Sequence, residues 1–112
     1  MPNQVIAQLE QVITSRKNSS SETSYVASLN KKGLDQILKK VIEEAGETLM
    51  AAKDHQHINT SHSADKVVYE VADLIFHTIV MLSHQNIPFS AVEEEIARRF
   101  GSSGIDEKNS RK

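Results

Sequence analysis

The sequence predicts an all-α protein, a helical bundle of about four to five helices per subunit completed by homodimerisation. Three observations lead there. Apolar residues recur three and four positions apart along most of the chain, no apolar/polar alternation lasts beyond a few residues, and the interruptions are rich in Ser, Gly, Asn or Pro.

Val5, Ile6, Leu9, Val12 and Ile13 make one apolar stripe of a first helix, which dissolves into the polar tract "SRKNSSSET"; segment 14–23 is expected to be a mobile loop. A short helix runs through "SYVASLNKK", with Ser21 or Thr23 as candidate N-caps and Gly33 as the stop. From Leu34 the spacing resumes with Ile37, Leu38, Val41, Ile42, Ala45, Leu49 and Ala52, a long helix. "DHQHINTSHSAD" has no periodicity and reads as a solvated connection holding His55, His57 and His62, with Ser63 as the N-cap of the next helix. Val67, Val68, Val71, Ala72, Leu74, Ile75, Ile79 and Leu82 mark that second long helix, in which Phe76 and Met81 fill space. Pro88, suited to a first helical turn, opens a last helix from about Phe89 to Phe100, and 101–112 is a Gly/Ser/charged tail. The two long helices are expected to form an antiparallel hairpin inside a single domain spanning 1–112.

Composition excludes several functions. The formal net charge of −2 gives no electrostatic footprint for nucleic acid, and the absence of cysteine removes disulfides and thiolate metal sites. No uninterrupted apolar run reaches the roughly 20 residues of a bilayer span, and the N-terminus lacks the pattern of a signal peptide. A cytoplasmic protein that binds neither nucleic acid nor membrane is expected.

The chemistry is carried by acids placed among core residues. At about 100° per residue, Glu43, Glu44 and Glu47 share one helix face, and Glu70 and Asp73 are neighbours on the second long helix with His77 one turn on. An isolated EExxE is ordinarily a solvated face, but a second acidic pair on a facing apolar helix concentrates like charge that only a cation would compensate. Oxygen ligands without cysteine suit Mg²⁺, with Mn²⁺ as a substitute; Glu44, Glu47, Glu70 and Asp73 are the expected metal ligands. Glu43, Glu44 and Glu47 form the catalytic set, in which Glu43 supports the ligands from behind, adds a ligand itself or is the base that orients water. Lys40, one turn earlier on the same face, is placed to neutralise acid charge or to hold phosphate. His77 reads as a hydrogen-bonded core or rim histidine, and as a candidate for substrate contact from the same stripe. A di-iron carboxylate bundle would need Glu-x-x-His, which neither motif supplies. A non-catalytic helical interaction module would use the acids as a docking face.

"KVIEEAGE" followed by "EVADLIFH", with "SYVASLNKKG" before and "RRFGSSGIDEK" after, resembles the phosphoribosyl-ATP pyrophosphohydrolase family of histidine biosynthesis. The acidic motifs alone are shared with MazG-like nucleoside triphosphate pyrophosphohydrolases; the flanking segments select this member. The resemblance implies a homodimer that removes pyrophosphate from phosphoribosyl-ATP with Mg²⁺, leaving phosphoribosyl-AMP. It places the metal-binding acids on Glu44, Glu47, Glu70 and Asp73 and the family lysine on Lys40. It adds Tyr25, Arg98 or Arg99, Lys108 and Arg111 as ribose and phosphate contacts. Phe76 departs from the pattern, where a tyrosine is more usual.

Overall fold

Two long helices joined by a two-residue turn carry the structure. The computed structural model describes residues 4–100; the tail at 101–112, with Lys108 and Arg111, lies outside the described residues. Within them are α1 (Val5–Arg16), α2 (Tyr25–Lys32), α3 (Leu34–Ile58), α4 (Ser61–His84) and α5 (Phe89–Arg98), and no strand. The principal packing is α3 against α4, with α1 and α2 laid across the end of the hairpin.

The core is small. Ile13 of α1, Ile37 of α3 and Ile79 of α4 are fully enclosed and meet Val26 and Leu29 of α2, while Phe76, Met81 and Phe89 pack around them. Burying each such side chain contributes roughly 1.5–3 kcal/mol. The polar chain between α1 and α2 is tied down by Lys17, whose ammonium donates to the Ser83 carbonyl at 2.6 Å and to Asn86 at 3.1 Å, a cation at the C-terminal end of α4. Asn30 and His84 add a 2.6 Å link between α2 and α4.

Several boundaries differ from the sequence reading. α1 continues to Arg16, so Thr14, Ser15 and Arg16 are helical. The cap of α2 is Ser24, whose hydroxyl accepts from the Ala27 N–H at 3.2 Å, and neither Ser21 nor Thr23 takes that place. Gly33 does end α2, at φ 101° and ψ 176°, a conformation essentially reserved for glycine, and it leads directly into α3.

The largest correction concerns 54–65. α3 persists through Ile58, and only Asn59 and Thr60 separate it from α4. Asn59 takes the left-handed conformation (φ 52°) that closes α3, and its N–H donates to the His55 carbonyl at 2.8 Å. Thr60, not Ser63, is the N-cap of α4; Ser63 completes a reciprocal capping box with it. His55 and His57 are therefore on α3 and His62 on α4, and His55 pairs with Ser63 at 2.6 Å across the turn.

Pro88 lies just before α5 with an extended backbone and precedes the first helical turn. It offers no cap; the Phe89 N–H is instead taken by the Glu10 carboxylate of α1 at 2.7 Å, negative charge at a helix N-terminus. Among the described residues, α4 alone is long and apolar enough to cross a membrane. Its buried Glu70 and His77 and its packing along α3 are those of a core helix that carries a polar site.

Candidate metal centre

Glu44 on α3 and Glu70 on α4 are 5% and 3% exposed, although both are carboxylates. Each is placed by the same local device, a lysine four residues earlier on its own helix. Lys66 reaches Glu70 at 2.9 Å and Lys40 approaches Glu44 at 3.7 Å. Lysine before glutamate is the weaker order for such a pair on an isolated helix, so helix stability alone gives no reason for the repetition. Lys66 pairs closely with one oxygen of Glu70, and Lys40 is an ion-pair neighbour, beyond hydrogen-bond reach, of one oxygen of Glu44. The others, Glu44 Oε2 and Glu70 Oε1, are buried and have no hydrogen-bonding partner.

Glu47 completes the arrangement. One carboxylate oxygen from each of Glu44, Glu47 and Glu70 lies within 4.8 Å of the other two. The charge on Glu44 first, and that on Glu70 next, pushes the Glu47 carboxyl above its ordinary value. Unpartnered buried oxygens and mutual repulsion both disfavour this cluster in the absence of a positive charge. Its all-oxygen donor set fits a hard divalent cation, and Glu44, Glu47 and Glu70 are the residues that would hold it. The trio contains no histidine, so a Glu-x-x-His iron site is not formed by it. Beside it opens a cavity of about 290 Å³ lined by Glu47, Met50, Ala51, Asp54, Lys66 and Glu70.

The other expected site residues divide. Glu43 is exposed and accepts from Lys40 at 3.1 Å, on the rim of the trio. Asp73 is half-buried and outside the 4.8 Å group; its backbone carbonyl bonds His77. His77 is buried with both ring nitrogens engaged, by Asp73 at 2.9 Å and by Tyr25 at 2.8 Å, and so has no nitrogen left for substrate. Tyr25 is linked to Asp73 through His77; burial raises its phenol pKa, Lys40 opposes this, and Glu44, Asp73 and Glu43 reinforce it. Phe76 stacks on Tyr25 with ring centres 6.2 Å apart, a contact that needs no hydroxyl. Arg99 pairs with Glu95 at 2.9 Å on α5, and Glu95, with Arg98 as its other guanidinium partner, is held at about 2. Lys108 is outside the described residues. Sequence reasoning passed over Lys66, although the repeated Lys-x-x-x-Glu of Lys40/Glu44 and Lys66/Glu70 was there to be read.

An all-α hairpin whose two helices each bury a glutamate beside a shared third acid is a carboxylate cluster that could hold a metal ion, as suits a pyrophosphohydrolase. The chain belongs to the phosphoribosyl-ATP pyrophosphohydrolase family, whose model matches residues 6–100. It is similar to the phosphoribosyl-ATP pyrophosphatase of Hydrogenovibrio crunogenus, 52% identical over 111 residues, which are 99% of this chain and 96% of that one. It is likewise similar to the proteins of that name from Pelobacter propionicus, 52% identical over 97% of this chain and 94% of the relative. The Neisseria meningitidis serogroup C protein is 51% identical over 99% and 97%.

Proposed function

We propose that this chain hydrolyses phosphoribosyl-ATP to phosphoribosyl-AMP and pyrophosphate, the second step of histidine biosynthesis, in the cytoplasm and with Mg²⁺. Family membership and relatives of one activity along nearly the whole chain support the reaction. The observation that carries the site is the pair of buried, unpartnered oxygens on Glu44 and Glu70. A docking face would expose its acids; this one encloses two of the three.

Hydrolysis adds one water across a phosphoanhydride. The water oxygen bonds to phosphorus, the leaving pyrophosphate keeps the electrons of the broken P–O bond, and a proton is released. A divalent cation held by Glu44, Glu47 and Glu70 supplies the charge that stabilises the phosphate oxygens. Lys40 and Lys66, already beside that cluster, present ammonium groups to the same oxygens. Glu43, exposed at the rim, orients the water and receives its proton. Asp73 is the additional acid that would help Glu44, Glu47 and Glu70 hold the cation, and Arg99 is a phosphate contact. The active form is a homodimer, because Ile42 (72% exposed) and Leu49 (64%) on α3 and Val68 (67%) on α4 leave the hairpin with an uncovered apolar face.

Pyrophosphate release from phosphoribosyl-ATP and, in parallel, from ordinary nucleoside triphosphates, each with Mg²⁺ and with EDTA, tests this reading. Metal-dependent release confined to phosphoribosyl-ATP is expected. Release from ordinary triphosphates instead would place the chain with the MazG-like enzymes.

A further inference from the structure

Both ring nitrogens of His77 are occupied, and one partner dictates the polarity of the other bond. Nδ1 lies 2.9 Å from the backbone carbonyl oxygen of Asp73, one turn earlier on α4. A carbonyl only accepts, so Nδ1 carries the proton. With the ring neutral, Nε2 is an acceptor, and its partner at 2.8 Å is the Tyr25 hydroxyl. Tyr25 must therefore donate. The arrangement is held by packing: His77 is 4% exposed, and the Phe76 ring stacks on Tyr25 while meeting His77 edge-on at 5.1 Å.

We propose that His77 is a positioning residue which, by taking the Tyr25 proton, leaves the Tyr25 oxygen as a hydrogen-bond acceptor reserved for an O–H donor of the bound ligand. Tyr25 is 51% exposed and is joined through His77 to Asp73, which stands three residues after Glu70 of the trio on α4, so its free lone pairs are open to a ligand bound beside the acids. Ionised carboxylates and phosphate oxygens bring no proton. A tyrosine whose proton is committed inside the protein cannot bond them, and discriminates in favour of a hydroxyl. Two sources supply one: a ribose hydroxyl of the substrate, which rests on the phosphoribosyl-ATP reading, or a water on the bound cation, which does not.

The first measurement is a long-range proton–nitrogen correlation spectrum of the ¹⁵N-labelled full chain. It is expected to show His77 protonated at Nδ1 with an unprotonated, hydrogen-bonded Nε2, and in Tyr25→Phe a shift of the Nε2 resonance alone toward the unbonded value. A proton on Nε2 in the wild type would overturn the proposal. Kinetics come next. Tyr25→Phe and His77→Gln are each expected to raise KM for phosphoribosyl-ATP roughly tenfold, the scale of one hydrogen bond, with kcat little changed. The double variant should lose no more than Tyr25→Phe, since His77 acts through Tyr25; additive losses would make His77 merely structural. Should His77→Gln fail to fold, the Nε2 resonance in Tyr25→Phe decides. Calorimetry with Mg²⁺ alone separates the sources: unchanged affinity in Tyr25→Phe assigns the ribose hydroxyl, and weakened affinity the cation-bound water. If neither KM nor Mg²⁺ affinity moves, the acceptor role is wrong. A wild type that leaves phosphoribosyl-ATP intact would defeat the parent reading while the spectrum and the Mg²⁺ titration still judge this one.

Discussion

Glu44 and Glu70 meet across the α3–α4 hairpin as matched halves, each with one carboxylate oxygen toward a lysine four residues before it and the other buried without a partner. Glu47 shares the space between them, and its charge repels both. Glu47→Gln removes that charge and supplies an amide that can donate to both neighbours. Metal-free thermal stability should hold or rise, while Mg²⁺-dependent pyrophosphate release falls at least about 100-fold, a loss of roughly 3 kcal/mol of transition-state stabilisation. A marked drop in the metal-free melting temperature would instead make Glu47 a structural residue.

A site that is strained when metal-free should respond strongly to its cation. At Mg²⁺ one hundred times above its dissociation constant, binding to the folded state alone stabilises by about 2.7 kcal/mol. A melting temperature that climbs with Mg²⁺ and falls back with EDTA is expected of the wild type, and a much flatter response of Glu44→Gln. Equal Mg²⁺ shifts in both would remove Glu44 from the centre.

The raised pKa of Glu47 fixes the sign of a pH effect. Folding brings Glu47 beside Glu44 and Glu70, so the folded chain keeps a proton that the unfolded chain has released at the same pH. Metal-free stability should therefore decline as pH rises from the ordinary carboxylate value of 4.5 through the raised value, and level off above it. Denaturant midpoints in EDTA across that window would show the decline in the wild type and a smaller one in Glu47→Gln. Identical slopes would mean that other groups set the dependence.

Residues whose role follows from periodicity were legible in the sequence, and residues whose role depends on a neighbour in space were not. Ile13, Ile37 and Ile79 repeat on helical stripes and form the enclosed core. Glu44, Glu47 and Glu70 betrayed themselves as charge among core residues, and the structure brings them together. The polar stretch 54–58 has no apolar stripe, yet it stays helical because Asn59 and the capping box of Thr60 and Ser63 postpone the break. His77 shares a stripe with the acids, but only the fold reveals that Tyr25, 52 residues away in sequence, occupies its second nitrogen. Lys66 escaped notice because one i,i+4 pair on a surface says little until its glutamate is known to be buried.

The apolar residues left outside the core indicate how the molecule is completed. Ile42 and Leu49 are seven apart on α3, two turns along one stripe, and Gly46 between them has open space where a side chain would stand. With Val68 of α4 this face can receive the same face of a second copy, in which two-fold symmetry makes every contact twice. Leu49→Glu would put two carboxylates into such an interface and forfeit roughly 1.5–3 kcal/mol of burial on each side, enough to raise the dimer dissociation constant at least about 100-fold. Light scattering at micromolar concentration should give twice the chain mass for the wild type and the single chain mass for Leu49→Glu. A wild type that scatters as a monomer would show that the face serves another purpose.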